Sequence, residues 1–191
     1  MKVLAFNGSG RKDGNTAILI RRVFAELEKE GISTELIQLA GLNIQGCAAC
    51  YRCVAAKNRQ CAVRDDAVNG FIARMAEADG IILGSPTYFA DCTASMKALI
   101  DRAGFVSRAN GQMFRRKVGA AVVSVRRAGA IHAFDTINHF FTINEMIVVG
   151  SSYWNVGIGR NAGDVEKDDE GVMTMARLGE NMAWLLKRVA G

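Results

Sequence analysis

The sequence predicts a doubly wound α/β domain in which five parallel strands are covered on both faces by helices. Three observations carry that reading. Short, nearly continuous apolar runs alternate with segments of helical period along the chain. Loops rich in glycine, hydroxyl and other turn-forming side chains follow the first and third runs. The 191 residues, half of them hydrophobic, suit one domain with a substantial core.

The run KVLAF (2–6) has the composition of a strand buried on both faces. From Thr16 to Glu30 the apolar residues Ile18, Leu19, Val23, Phe24 and Leu27 recur at helical spacing, and Gly31 ends the segment. Residues 33–39, STELIQL, alternate like a strand. A cysteine-rich insertion at about 41–64 interrupts the pattern. The next helix, 65–78, opens on Asp65 and Asp66, for which capping is sufficient explanation, and continues with Val68, Phe71, Ile72 and Met75 on one face. Strand GIILGS (80–85), a helix over 94–104 and strand KVGAAVVSV (117–125) follow. A helix over 130–144 leads into strand EMIVVG (145–150). A polar, glycine-rich stretch (151–167) precedes a last amphipathic helix over 168–189. No repeat, low-complexity tract or linker divides the chain, so residues 1–191 read as one domain.

The net charge of +5 is spread over Arg21/Arg22, Arg115/Arg116/Lys117 and Arg126/Arg127. A nucleic-acid binder shows a denser basic stripe with interleaved aromatics. The longest apolar stretches, such as VGAAVVSV, are far too short to cross a bilayer, and MKVLAF lacks the long apolar core of a signal peptide. The expectation is a cytoplasmic protein with reduced thiols and no nucleic-acid or membrane partner.

The loop GSGRKDGNT (8–16) lies between the first strand and the first helix, where free N–H groups and the positive dipole end favour an anion. Gly8, Gly10 and Gly14 permit close backbone approach. Ser9, Asn15 and Thr16 are donors to phosphate oxygens, and Arg11 is placed to cover them. A Walker A loop is excluded, because five residues separate Gly8 from Gly14 and Asn15 stands where lysine is required. G-x-G-x-x-G fails as well, because three residues separate Gly10 from Gly14. What remains is a phosphate monoester, of which FMN is the leading example, or a plain glycine turn. The loop after the third strand, SPTYFADCT (85–93), offers a stiff Pro86, the Thr87 hydroxyl and the aromatic planes of Tyr88 and Phe89, a lining suited to a planar heterocycle. The fourth strand ends in SVRRAGA (124–130), placed to border the same ring.

These three segments, GSGRKDGNT, SPTYFADCTASMKALIDRAG and the loop after VVSV, resemble the NADPH-dependent FMN reductase family, and the likeness runs in order over residues 1 to about 150. The resemblance implies a flavodoxin-like sheet of order 2-1-3-4-5. It implies that Ser9, Arg11, Asn15 and Thr16 hold the FMN phosphate and that Pro86, Thr87, Tyr88 and Phe89 line the isoalloxazine. The segment Ser124, Arg126, Arg127, Ala128 and Gly129 would close the far side of the ring. Two departures stand out: Ala90 and Asp91 replace the glycine and asparagine that family members often carry there, and VRRAG replaces a Gly-Gly pair.

Cys47, Cys50, Cys53 and Cys61 form C-x2-C-x2-C-x7-C, and Cys92 stands apart. Four thiols so close in a protein expected to be cytoplasmic argue against disulfides. A [4Fe–4S] cluster, zinc and free or redox-active thiols all remain open on spacing. FMN reductase-like chains with a compact cysteine run at this point resemble the iron–sulfur flavoprotein subgroup, although the seven-residue gap before Cys61 is wide for it. Cys92 reads as a small buried hydrophobe. His132 and His139 are surface or packing residues, and Met173, Met175, Met182, Trp184 and Leu185 belong to a core or a subunit seam.

No Ser–His–Asp set or paired-carboxylate site emerges, as suits an enzyme whose cofactor carries the chemistry. The resulting expectation is an iron–sulfur flavoprotein-type oxidoreductase. It would move electrons between a reduced donor, NAD(P)H or a ferredoxin, and an acceptor through FMN and a [4Fe–4S] cluster. The alternatives are an NAD(P)H-dependent FMN or quinone reductase without a cluster, and an electron-carrier module without turnover of its own. The resemblance also implies a homodimer or homotetramer.

Overall fold

The computed structural model describes residues 1–189. Strand β1 (Lys2–Asn7) leads into helix α1 (Asn15–Lys29), and β2 (Ser33–Gln38) follows. The cysteine segment carries a short helix, α2 (Arg52–Ala56), before α3 (Val68–Glu77) and β3 (Gly80–Pro86). Then come α4 (Ala94–Ala109), β4 (Val118–Val125), α5 (Ala130–Ile143), β5 (Ile147–Val148), β6 (Val156–Ile158), a 3-10 turn (Asp164–Lys167) and α6 (Asp169–Val189).

The strands pair in parallel in the order β2-β1-β3-β4-β5, the order the family resemblance implies. Phe6 stands beside Ile37 on one side and Leu83 on the other, and Leu83 beside Ala121. Alternate residues of the central strands enter opposite cores, as a period of two requires. Val3, Ala5, Ile82 and Val122 pack with Leu19, Val23, Leu27, Met182 and Leu186 of α1 and α6. Leu4, Phe6, Leu83 and Val123 pack with Phe71, Met75, Leu99 and Phe141 of α3, α4 and α5. Met175 and Met182 are buried, whereas Met173 and Trp184 face solvent on the outer side of α6.

Three expectations need correction. The strand predicted over 145–150 is only Ile147–Val148, paired with Val118 and Gly119. The C-terminal half of that edge is filled by β6, which pairs with Val123–Val125. Between them the chain leaves the sheet, and Asn155 fills the gap: its side chain donates to the Ala121 carbonyl at 3.0 Å and its carbonyl accepts from Val123 N–H at 2.9 Å. Helix α4 does not stop at Gly104 but continues to Ala109: Gly104 packs inside it against α5, where a Cβ would meet the Phe140 ring at 3.4 Å. Helix α3 begins at Val68, whose N–H is capped by Asp66 at 3.1 Å.

Candidate functional site

At the carboxyl ends of β1, β3 and β4, three loops are tied into one rim. Gly8 N–H donates to the Gly84 carbonyl at 2.7 Å, and the Thr93 hydroxyl donates to the Gly8 carbonyl at 2.9 Å. Thr87 donates both its N–H (2.8 Å) and its hydroxyl (3.2 Å) to the Ser124 carbonyl. The buried hydroxyls of Thr16 and Ser124 meet at 2.7 Å. The first loop is braced from the strands beneath it. Asn7 accepts from Ser9 N–H at 3.0 Å and donates to Gln38 Oε1 at 2.7 Å, while Gln38 donates to the Ser9 carbonyl at 2.6 Å.

The rim encloses a cleft of about 160 Å³. Ser9, Arg11, Asn15, Thr16, Pro86, Thr87, Tyr88, Ser124 and Arg126 line it, so the sequence brings these candidates to one place. Helix α1 enters the cleft with no side-chain cap on its first turn, and its leading N–H groups point there without intrahelical acceptors. Arg11, Arg126 and Arg160 supply positive charge from three different loops, and among the described residues no carboxylate lines the cleft. The volume is below the several hundred Å³ of a whole-cofactor pocket. The donor set fits the phosphate of FMN.

Several candidates sit differently from expectation. Asn15 commits its side-chain carbonyl to Gly163 N–H at 2.9 Å and keeps only its amide N–H groups for a ligand. The Thr87 donors are spent on Ser124, which makes Thr87 a brace. Phe89 and Ala90, at φ 48° and 63°, are the central residues of a tight turn closed by Tyr88 and Asp91 (2.8 and 3.1 Å). That left-handed turn throws the Phe89 ring wholly into solvent and away from the cleft. Arg127, Ala128 and Gly129 also lie outside the cleft lining. Gly129, at φ 86°, instead packs against the Ala90 turn: a Cβ there would meet Ala90 Cα at 3.1 Å.

Gly159 and Arg160 are additional lining residues, set in place because Gly159 N–H bonds to the Val125 carbonyl at 2.8 Å. Their signal in the sequence is only the glycine-rich GIGRNAG, which carries no period. Asn7 was likewise missed, although a polar residue ending a buried strand is a readable anomaly.

On the sheet face covered by α3 and α4, the cysteine segment packs over α4. Cys47 and Cys50 are exposed, Cys53 is the buried residue of α2, and Cys61 is half-buried; none is in a disulfide. Among the described residues no three Cys, His, Asp or Glu side chains converge as a metal site. The donor chemistry nonetheless fits a thiophilic centre: four reduced thiols lie within one segment that contains no carboxylate. Ala49, Tyr51, Lys57 and Arg59 hold left-handed backbone angles there, each costing roughly 1–2 kcal/mol. Strain of this kind collects at ligand clamps. Burial pushes the Cys53 thiol up, and burial with the neighbouring Asp91 carboxylate pushes Cys92 to about 12, which makes Cys92 inert.

The family model of NADPH-dependent FMN reductase matches residues 1–161. The chain belongs to the NADPH-dependent FMN reductase family. It is an FMN-dependent oxidoreductase with a flavodoxin-like fold. An iron-sulfur flavoprotein of Methanocaldococcus jannaschii is 38% identical over 196 residues covering 99% of each chain. Among solved structures, RosB with a bound 8-demethyl-8-formylriboflavin-5'-phosphate intermediate superposes with a TM-score of 0.75 at 20% identity, over 100% of this chain and 80% of RosB. A flavodoxin from the domain Archaea gives 0.64 at 19% identity, over 98% and 99%. In this NADPH-dependent FMN reductase family member, the cleft at the rim is the FMN site candidate. No helix among the described residues is long and apolar enough to cross a membrane.

Proposed function

We propose that this family member is an iron–sulfur flavoprotein-type oxidoreductase, with FMN at the rim cleft and a [4Fe–4S] cluster held by Cys47, Cys50, Cys53 and Cys61. The observation that carries the reading is the convergence of three loops on the uncapped end of α1, within a fold whose one insertion bears four free thiols. The similarity to iron-sulfur flavoproteins over nearly the whole chain supports the second half. FMN, when bound, supplies the exchange between two-electron and one-electron chemistry.

The protein's own work is binding and electrostatics. The α1 N–H groups and the Ser9 hydroxyl face the anion, and Arg11 and Arg160 neutralise it. Tyr88 offers an aromatic plane at the rim, and Arg126 adds positive charge beside it. The cysteine segment carries exposed Arg52, Lys57, Arg59 and Arg64 with no carboxylate over residues 41–64, which supports an acidic, ferredoxin-type donor or acceptor beside NAD(P)H. A groove of about 410 Å³ between α4 and α5, with Phe105 and Ile143 exposed, supports a homo-oligomer. The same reading puts the protein in the cytoplasm, where thiols stay reduced.

The test is anaerobic purification followed by visible spectroscopy and assays of iron and acid-labile sulfide. Stoichiometric FMN with four irons and four sulfides is expected, as is NAD(P)H- or ferredoxin-linked reduction of a quinone or ferricyanide. Flavin without iron reassigns the protein to the cluster-free reductases. Flavin and iron without turnover reassigns it to the carriers.

A further inference from the structure

We infer that Arg102 is a positioning residue for the cysteine centre: its buried guanidinium closes the stem of the 45–63 loop and places a fixed positive charge beside Cys61. This rests on the iron–sulfur reading above.

Arg102 projects from the middle of α4 and is 1% exposed. Its Nη1 donates to the Gln45 carbonyl at 3.2 Å and pairs with Asp66, while Nη2 donates to the Val63 carbonyl at 3.0 Å. Those two carbonyls belong to the entering and leaving arms of the loop, and all four cysteines lie between them. Asp66 returns the grip, accepting from Gln45 N–H at 3.4 Å. Asn69 fastens the leaving arm, accepting from Cys61 N–H at 2.7 Å and donating to the Cys61 and Val63 carbonyls, both at 3.0 Å. A guanidinium suits this task because its planar fork reaches several acceptors at once.

Stability alone does not account for the arrangement. A buried ion pair is weak evidence for stability, since apolar residues of similar volume at such positions are often neutral or better. Here the cost is visible, because Arg102 Nε is buried with no acceptor among the described residues. Cys61 lies two residues from Val63, whose carbonyl the guanidinium holds, and its thiol interacts with that same cation, which Asp66 also pairs. The positive member of the pair is therefore the one that meets the sulfur. Burial leaves that field little screened, unlike those of exposed Arg52 and Arg64 beside the same cysteine. A cation near a cluster favours its reduced, more negative form.

The experiment compares wild type, R102Q, D66N and the double variant R102Q/D66N, purified anaerobically. FMN content and thermal melting serve as folding controls. Midpoint potentials are read by redox-poised EPR, and loop closure by limited tryptic cleavage at Arg52, Lys57 and Arg59. The expected results are a more negative potential in R102Q, a more positive one in D66N, and faster loop cleavage in R102Q. Should R102Q fail to fold, the double variant carries no unpaired buried charge and is expected to retain a potential below wild type. Opposite signs are the signature that a packing role would not produce. Shifts of one sign, or none, in loaded and folded variants overturn the inference while leaving the cluster reading intact. Wild type without iron and sulfide overturns both.

Discussion

The Thr16 hydroxyl, on the first turn of α1, lies 2.7 Å from the Ser124 hydroxyl at the end of β4, and both are buried. This contact joins the phosphate-side loop to the ring-side loop across the sheet. Replacing Thr16 by valine keeps the shape and leaves Ser124 without its partner, at a cost of about 1–3 kcal/mol. Thr16→Val should weaken FMN binding by about tenfold, the equivalent of about 1.4 kcal/mol, as read by flavin-fluorescence titration. Thr16→Ser should recover most of the loss.

Arg160 is the cleft cation that sequence reasoning did not find. Charge-assisted hydrogen bonds contribute about 1.5–3 kcal/mol, so Arg160→Ala should raise the FMN Kd by roughly 10- to 100-fold. The penalty should shrink for riboflavin, which has no phosphate, and should fall with added salt. An equal loss for both flavins would exclude a phosphate contact.

Gly179 of α6 faces α1 so closely that a Cβ would stand 2.6 Å from the Val23 carbonyl oxygen and 2.7 Å from Glu26 Cβ. Alanine is a better helix former by about 1 kcal/mol. Backbone cannot yield as a side-chain tip does, so overpacking wins. Gly179→Ala should destabilise by a net ~1–2 kcal/mol and lower Tm by roughly 3–6 °C in calorimetry.

Ala90, at φ 63°, occupies a position where glycine carries no steric penalty. Ala90→Gly should stabilise the Tyr88–Asp91 turn by about 1 kcal/mol and raise Tm by about 2–4 °C. A fall in Tm would show that the turn is not left-handed in solution.

Asp66 is held below the usual carboxylate range: burial pushes it up, but the bond from Arg102 and the N–H groups of Val68 and Gln45 outweigh it. A folded-state value below the unfolded one, near 3.9 (~), stabilises the fold above that value. The contribution is lost as pH falls through the depressed value. Asp66→Asn should therefore flatten the acid limb of a pH–stability curve below about pH 4 while lowering stability at neutral pH. Urea melts across that range provide the measurement.

The elements that the sequence made legible were those with an unambiguous period. The apolar runs of β1, β3 and β4 and the stripes of α1 and α3 come from burial against two cores, which imposes one residue class at each position. The rim loops were legible because strand ends carry ligands in such sheets. What stayed hidden depends on partners distant in the chain. Arg102 and Asp66 meet across thirty-six positions, and Arg160 reaches the cleft through a three-residue strand too short to show alternation. Phe89 misled for a different reason: its aromatic character was plain, but the left-handed turn that aims it outward was not.

Helix α4 is capped by Thr93, whose hydroxyl holds Gly8 at the cleft, and carries Arg102 nine residues beyond that cap. At ~1.5 Å per residue that is about 13 Å of stiff rod between the two loops. Their spacing is thus a ruler marked off in helical turns, indifferent to how much chain lies between Cys53 and Cys61. Lengthening or trimming that stretch would leave the gauge where the helix sets it.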